Sequence, residues 1–342
     1  MLENLVRKNI LALKPYSCAR DEFKGREAHV FLDANESAYN TPYNRYPDPL
    51  QEALKKDLSL VKGVHPARIF LGNGSDEAID LVYRVFCEPG VDNVVAIEPT
   101  YGMYKVCADI NNVEYRPVCL SADYAMSAEA LLQACDEHTK VVWICSPNNP
   151  TGNDMDRREL QKLLLEFKGI VVVDEAYGDF SDLRPMRSCL DHFPRMIVLN
   201  TFSKAWASAG IRLGMAFASE EIIALFNKVK YPYNVNAPTQ LEVMRRIDEG
   251  VAPQVREICQ QRSMLLAAFA ELSIVERVFP TDANFVLIRV ADPNAVYDYL
   301  VSRGVIVRNR TRLRGCEGCL RITIGTPAEN ERVVNLLREI SK

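Results

Sequence analysis

Residues 196–219 read MIVLNTFSKAWASAGIRLGMAFAS: an apolar run ends at Thr201, Lys204 follows in a polar turn, and Arg212 stands eight positions later among small residues. An amine and a guanidinium so placed suit a carbonyl and an anion carried by one ligand. Polar residues also follow four other short apolar runs: NGSDEA after IFLG, PTYGMY after VVAIE, SPNNPTG after VVWIC and DEAYGDF after IVVV. NGSDE at a strand-to-helix junction offers free backbone N–H groups, the Ser75 hydroxyl and a positive helix end, all suited to a phosphate. Thr201, Ser203 and Arg212 complete that anion cup. Asp174 closes a wholly apolar run, so it is expected to be partly desolvated and to want a cationic or N–H partner. Tyr101 offers an aromatic face, and Asn149 and Tyr177 offer neutral hydrogen bonds. The ligand implied has a phosphate, a flat ring, a protonatable ring nitrogen and a phenolate-like oxygen, with Lys204 beside it. Pyridoxal 5'-phosphate has all four: a lysine bonds its aldehyde, and an acid on the pyridinium nitrogen lets the ring act as an electron sink. Partial burial and proximity to Arg212 lower the amine's pKa and make it nucleophilic. The freed amine can then move a proton between Cα and the cofactor carbon.

From residue 69 onward, short apolar runs alternate with helical periods: IFLG, a helix from 75 to about 87, VVAIE, a helix around 103–109, VVWIC, RRELQKLLLEF, IVVVD and MIVLN. Continuous apolar strands separated by helices predict a mostly parallel sheet covered on both faces, an α/β architecture. In such sheets ligands sit beyond the carboxyl ends of the strands, where the polar residues above lie. Residues 35–240 are expected to form this large cofactor-binding domain. A long charged helix over 254–272 then leads into a smaller C-terminal α/β domain, residues 241–342. It contains NFVLIRV, a helix around 295–302, VIVRN, CLRITIG and a last helix opened by Thr326-Pro327. Residues 1–34 are expected to be an arm associated with the small domain, with a weak amphipathic helix (Leu2, Leu5, Val6, Ile10), a break at Lys14-Pro15 and a short strand at HVFLDAN. SAYNTPYNRYPDP must be a loop. Its Tyr46 is a candidate to reach into a site.

At 342 residues the chain is long enough for two domains. A net charge of -4 argues against a nucleic-acid binder, whose footprint is a basic surplus. MLENLVRKNI mixes charges into its apolar residues, unlike a signal peptide, and no run approaches the roughly 20 apolar residues of a membrane span. A cytoplasmic protein is expected. The 10 cysteines are scattered and several lie in apolar runs, Cys107 and Cys145 among them, which reads as buried free thiols in a reducing compartment. Cys316 and Cys319 form a CxxC, but with no second pair and only 4 His no metal site is expected.

SPNNPTG, VVVDEAY and TFSKAWASAGIRLG, in that order and spacing and joined by GNGSDE and CLRIT, resemble the fold-type I aminotransferases of class I/II over nearly the whole chain. The resemblance implies Lys204 as the Schiff-base lysine, Asp174 on the pyridine nitrogen, Asn149 and Tyr177 on the ring hydroxyl, and Tyr101 stacked on the ring. It also implies Ser75, Asp76 (through its backbone), Ser203 and Arg212 around the cofactor phosphate, with Arg321 holding a substrate carboxylate by a two-pronged contact. LKPYSCAR, LDANES, NRYPDP, PTYGMY and VIVRNR ahead of GCLRIT resemble the branch of that family that acts on L-histidinol phosphate. That likeness implies Tyr16, Asn35 and Arg308 lining the substrate pocket, Arg308 and Tyr16 near an amino-alcohol phosphate, and glutamate and 2-oxoglutarate as the other substrate pair. It further implies a homodimer with shared active sites, in which Tyr46 reaches the neighbour's cofactor phosphate. One departure is the basic segment RNRTRLRG, where a solvated loop is favoured over extra phosphate contacts from Arg310, Arg312 and Arg314. The same cofactor also admits a threonine-phosphate decarboxylase or an aromatic amino-acid aminotransferase. A non-catalytic regulator that binds the cofactor would carry a DNA-binding appendage.

Overall fold

In the computed structural model, which describes residues 2–18 and 29–341, the apolar runs from residue 69 onward assemble into a seven-stranded sheet. Its strands are β1 (Ile69–Asn73), β2 (Asn93–Glu98), β3 (Glu114–Cys119), β4 (Thr139–Cys145), β5 (Ile170–Asp174), β6 (Met196–Thr201) and β7 (Leu213–Phe217). They lie in the order β1-β7-β6-β5-β4-β2-β3. The five strands from β3 to β6 in that order run parallel, whereas β7 is antiparallel to both of its neighbours. β5 and β6 are buried along their whole length. Their successive side chains point to opposite faces, so an unbroken apolar run fills two cores at once. Ile197 and Leu199 enter the core shared with α3 (Ser75–Phe86), α4 (Met103–Ile110) and α7 (Glu220–Val229). Met196 and Val198 enter the other, with α2 (Glu52–Lys62), α5 (Ala128–Gln133), α6 (Arg157–Glu166) and α8 (Ala237–Glu249).

β7 was not foreseen as a separate strand, and it gives the small residues around Arg212 a purpose. Gly214 passes so close to the turn after β1 that a Cβ there would collide with the Ser75 nitrogen and the Gly74 carbonyl carbon. Backbone atoms at both contacts leave no flexible group to yield. Gly214→Ala is therefore expected to cost at least about 2 kcal/mol, as overpacking of a rigid site does. Urea denaturation of the apoprotein measures it, and an unchanged midpoint would contradict the packing argument.

The C-terminal sheet is built from β8 (Val275–Val278), β9 (Phe285–Val290), β10 (Arg308–Asn309) and β11 (Cys319–Thr323), in the order β10-β11-β9-β8 and antiparallel throughout. One face packs on α9 (Ala252–Ala270), α10 (Pro293–Ser302) and α11 (Pro327–Glu339) through Leu265, Phe269, Val286, Ile288, Leu320 and Leu337. α11 opens with Pro327 behind a Thr326/Glu329 capping box, the helix start expected from Thr326-Pro327. On the opposite face Cys316 and Cys319 are buried beside Tyr124, Phe279 and Leu287.

Three expectations about organisation are corrected. Residues 2–12 lie on the large sheet's helices and not on the small unit. Val6 and Ile10 share a core with Phe86 and Phe226, the Arg7 N–H donates to Val85 O at 3.0 Å, and the Arg7 guanidinium donates to Arg84 O at 3.1 Å. The apolar stripe of α1 (Lys8–Ala12) finds its partner in α3 and α7. A boundary between residues 240 and 241 would cut α8, whose Val243 belongs to the large core. Residues 29–35 form no strand: Val30 and Leu32 are 75% and 89% exposed. An apolar alternation becomes a strand only where a ladder partner accepts its hydrogen bonds.

Candidate active site

A cavity of about 740 Å³ opens at the carboxyl ends of β1, β2, β4, β5 and β6, and the β10–β11 edge of the small sheet closes it from above. Ser75, Asp76, Tyr101, Asn149, Asp174, Tyr177, Thr201, Ser203, Lys204, Arg212, Arg308 and Arg321 all line it. Ten of these residues come from strand ends and loops that parallel strands deliver to one edge, and Arg308 and Arg321 come from the small sheet.

At one end, α3 begins at Ser75 behind Gly74, whose φ of 73° suits glycine. The first N–H groups of that helix have no partners within the helix, and its first residues, Ser75 and Asp76, line the cavity. Arg212, itself left-handed at φ 62°, accepts a hydrogen bond from the Gly74 N–H at 2.9 Å through its carbonyl. Its guanidinium stands 3.5 Å from Asp76 Oδ2, while Tyr101 donates to Asp76 Oδ1 at 3.0 Å. The Asp76 side chain thus orients both groups from the edge of the site. The ion pair is half exposed and contributes little energy of its own, which leaves Arg212 available to an anion. Thr201 Oγ1 accepts from the Ser203 N–H at 3.1 Å and tightens the turn that leads to Lys204.

Asp174 is buried at the end of β5 and forms no ion pair among the described residues. Its Oδ2 accepts from Tyr104 Oη at 2.7 Å and its Oδ1 from the Ala176 N–H at 3.0 Å. Burial pushes the carboxyl above the usual range, against the pull of those two hydrogen bonds. Tyr104 was missed by sequence reasoning. It sits on the apolar side of α4, stacked on Trp143 at 4.7 Å and edge-on to Tyr101 at 5.7 Å, so in sequence it looks like plain core. Glu175, the next residue, turns the other way: its Oε1 accepts from the Met186 N–H at 2.8 Å and lies 3.6 Å from Arg157.

The Lys204 amine makes no hydrogen bond and no ion pair among the described residues; its Nζ lies 5.4 Å from the centre of the Tyr177 ring. Burial lowers its pKa first and Arg321 second, with Asp174 and Asp76 opposing. Arg212 contributes less than Arg321, so the cation expected to activate the amine is mainly the one across the cavity. Arg321 donates through Nη1 to Asn149 Oδ1 and lies over the Phe285 ring at 5.1 Å. The residues assigned to the ring hydroxyl and the substrate carboxylate are therefore linked to each other. Tyr177 is buried against the edge of Phe285 at 5.1 Å, and burial raises its phenol.

The basic segment divides by strand geometry. Arg308 is the cross-strand partner of Arg321, and the Arg310 N–H continues the ladder to Cys319 O at 2.9 Å. Residues two apart on an extended strand share a face, so Arg310 joins Arg308 in the cavity lining. Burial lowers the Arg310 pKa to about 10, helped by Arg321 and Arg308. The solvated-loop expectation holds for Arg312 and Arg314, both exposed, with Arg314 3.8 Å from Glu98. It fails for Arg310.

Three expected residues stand outside the cavity. Tyr16 is 72% exposed, and Asn35 is exposed on a left-handed turn at φ 54°. Tyr46 stacks on Tyr233 at 4.4 Å beside a separate depression of about 440 Å³. Residues 29–50, which carry Asn35 and Tyr46, contain no helix or strand.

The donor set fits pyridoxal 5'-phosphate. An amine without a protein partner suits an aldehyde, a buried carboxylate without a cation suits a protonated ring nitrogen, and a helix N-terminus with Arg212 suits a phosphate. The model of the family "Aminotransferase class I and II" matches residues 20–337. A histidinol-phosphate aminotransferase of Bacteroides fragilis is 57% identical over 340 residues, 99% of each chain. One from Parabacteroides distasonis is 54% identical over 341 residues, again 99% of each. Among solved structures, the histidinol-phosphate aminotransferase from Sinorhizobium meliloti in complex with pyridoxal-5'-phosphate aligns with a TM-score of 0.79 at 23% identity, covering 88% of this chain and 84% of that one. The L-threonine-O-3-phosphate decarboxylase from Porphyromonas gingivalis aligns with a TM-score of 0.74 at 21% identity, covering 87% and 91%. Structural likeness at such identity speaks to the fold alone, which aminotransferase and decarboxylase share. With the family's model spanning nearly the whole chain and full-length relatives above half identity, the chain belongs to the class I and II aminotransferases.

Proposed function

We propose that the protein transfers an amino group between L-histidinol phosphate and 2-oxoglutarate, yielding imidazole-acetol phosphate and L-glutamate, a step of histidine biosynthesis. The observation that carries the chemistry is Lys204, an unpartnered amine between the buried Asp174 and the arginines of the small sheet. The choice of substrate is supported by the full-length relatives of that name. Ser75, Ser203, Arg212 and the first N–H groups of α3 hold the cofactor phosphate, Asp174 its ring nitrogen, Asn149 and Tyr177 its hydroxyl, and Tyr101 its ring face. Pyridoxal phosphate supplies the electron sink that makes the substrate Cα–H acidic. Lys204 Nζ, lining the cavity with a lowered pKa, would be the group that accepts and redelivers the proton of the substrate Cα. Arg321 receives the glutamate carboxylate in one half-reaction, and Arg308 faces the substrate phosphate in the other.

The working unit is a homodimer in which Tyr46 reaches the neighbour's cofactor phosphate. Supporting this, Val30, Leu32, Tyr39 and Tyr43 are exposed around the same loop, apolar surface that a second copy would cover. The nine cysteines from Cys87 to Cys319 are free thiols, which supports a cytoplasmic setting. Among the described residues no helix is long and apolar enough to cross a membrane.

A half-reaction panel tests the substrate. The holoenzyme is mixed in turn with histidinol phosphate, threonine phosphate, phenylalanine and glutamate while the visible band of the lysine-linked cofactor is followed. Histidinol phosphate and glutamate are expected to bleach that band. Carbon dioxide from threonine phosphate, or a band indifferent to histidinol phosphate, would overturn the assignment.

A further inference from the structure

The edge of the small sheet brings three guanidinium groups to the cavity, one more than two carboxylates require. Arg308 and Arg321 are direct cross-strand partners, and like charges so placed destabilise a sheet. Arg310 adds a third guanidinium on the same face, and all three line the cavity. None of them forms an ion pair among the described residues. Their one side-chain hydrogen bond runs from Arg321 to the neutral Asn149, and the Nε atoms of Arg310 and Arg321 are both buried without an acceptor. Such an arrangement is costly by itself and calls for an anion in the cavity.

The two half-reactions bring anions of different shape to this face. Glutamate and 2-oxoglutarate carry two carboxylates of two oxygens each, which two guanidinium forks, Arg321 and Arg308, satisfy. A phosphate monoester presents three terminal oxygens and carries about -1.5 to -2 charges near pH 7. We propose that Arg310 is a specificity residue, a third guanidinium that engages the phosphate of the amino donor and stands idle when glutamate or 2-oxoglutarate is bound. The inference rests on the proposed reaction, since only there does the same enzyme alternate between a phosphate and a carboxylate. It also gives the basic segment a division of labour: Arg308 and Arg310 face inward to bind, while Arg312 and Arg314 face solvent.

Arg310→Gln and Arg310→Lys holoenzymes test the proposal through the two half-reactions, each followed at the visible band. For the Gln variant, the histidinol phosphate concentration giving half-maximal rate is expected to rise about 10- to 100-fold, as loss of a charge-assisted hydrogen bond predicts. The glutamate half-reaction should stay within about twofold, and Lys should recover part of the loss. Equal losses in both half-reactions would make Arg310 a structural residue, and no loss in either would remove it from the site. Both results overturn the proposal. Calorimetric titration of holoenzyme with inorganic phosphate reads the same contact without turnover, with binding at least about tenfold weaker in the Gln variant. Failure of the wild type to react with histidinol phosphate would sink the proposed reaction. The Arg310 contact would then be judged on the phosphate titration, where equal binding by both proteins overturns it.

Discussion

Lys204→Ala is expected to lack the visible band of the lysine-linked cofactor and to transfer amino groups on the order of 10⁴-fold more slowly than wild type, the upper range for loss of a positioned acid–base group. Lys204 is the one lysine lining the cavity. Of the buried lysines, Lys62 is committed to Asp179 at 3.1 Å and Lys230 to the carbonyls of Pro49, Tyr231 and Pro232, while Lys55 on α2 does not line the cavity. None can move in to replace it. Because the Lys204 amine has no polar partner, its removal takes no hydrogen bond from the fold, and the variant should unfold within a few degrees of the wild-type apoprotein. That separates loss of chemistry from loss of structure. Spectra and single-turnover rates measure the first, and thermal unfolding the second. A retained band would show that some other group anchors the cofactor.

Asp174→Asn is expected to lower the single-turnover rate by about 10²- to 10³-fold, the scale for removing one preorganised electrostatic group. The neutral amide cannot hold a proton on the ring nitrogen, so the electron sink weakens. Asn retains an acceptor for the Ala176 N–H and a polar partner for Tyr104, so the local geometry survives. The same substitution should stabilise the apoprotein. Burial holds the Asp174 carboxyl above its unfolded value of about 3.9. The unfolded chain therefore releases that proton first as pH rises, and stability falls from about pH 4 upward until the folded carboxyl ionises. At pH 7 apo Asp174→Asn should melt above apo wild type, with the gap closing toward about pH 4. Melting curves at several pH values check this, and a variant less stable than wild type throughout would contradict it. Activity and stability pull in opposite directions here because the charge is kept for a ligand.

Much of the site is legible in the chain because a parallel sheet writes it plainly. β5 and β6 must be apolar along their whole length, so the first polar residues after them, Asp174 and the turn to Lys204, stand out as the ends that face a ligand. Glycine at 74 and Pro327 after Thr326 mark helix starts by backbone chemistry alone. Tyr104 was hidden, because a buried tyrosine on a helix face looks the same whether its hydroxyl meets a carbonyl or a buried carboxylate such as Asp174. Gly214 was hidden as well: its constraint is a steric contact with Gly74 and Ser75, well over a hundred positions earlier in the chain.

The sequence by itself picked out residues that line one cavity, among them Lys204, Asp174, Ser75, Ser203 and Arg212, and the alternation of strands and helices that brings them together. Periodicity and short motifs are local, and local signals suffice for what is covalently close. Tertiary structure alone decided direction and partnership. β7 turns antiparallel, the first helix packs on α3 and α7, Tyr16 and Asn35 lie outside the cavity, and of four arginines in one basic segment two face inward. The pairing of Arg308 with Arg321 settles that last point, because register decides which face of a strand a side chain takes and a shift by one residue reverses it.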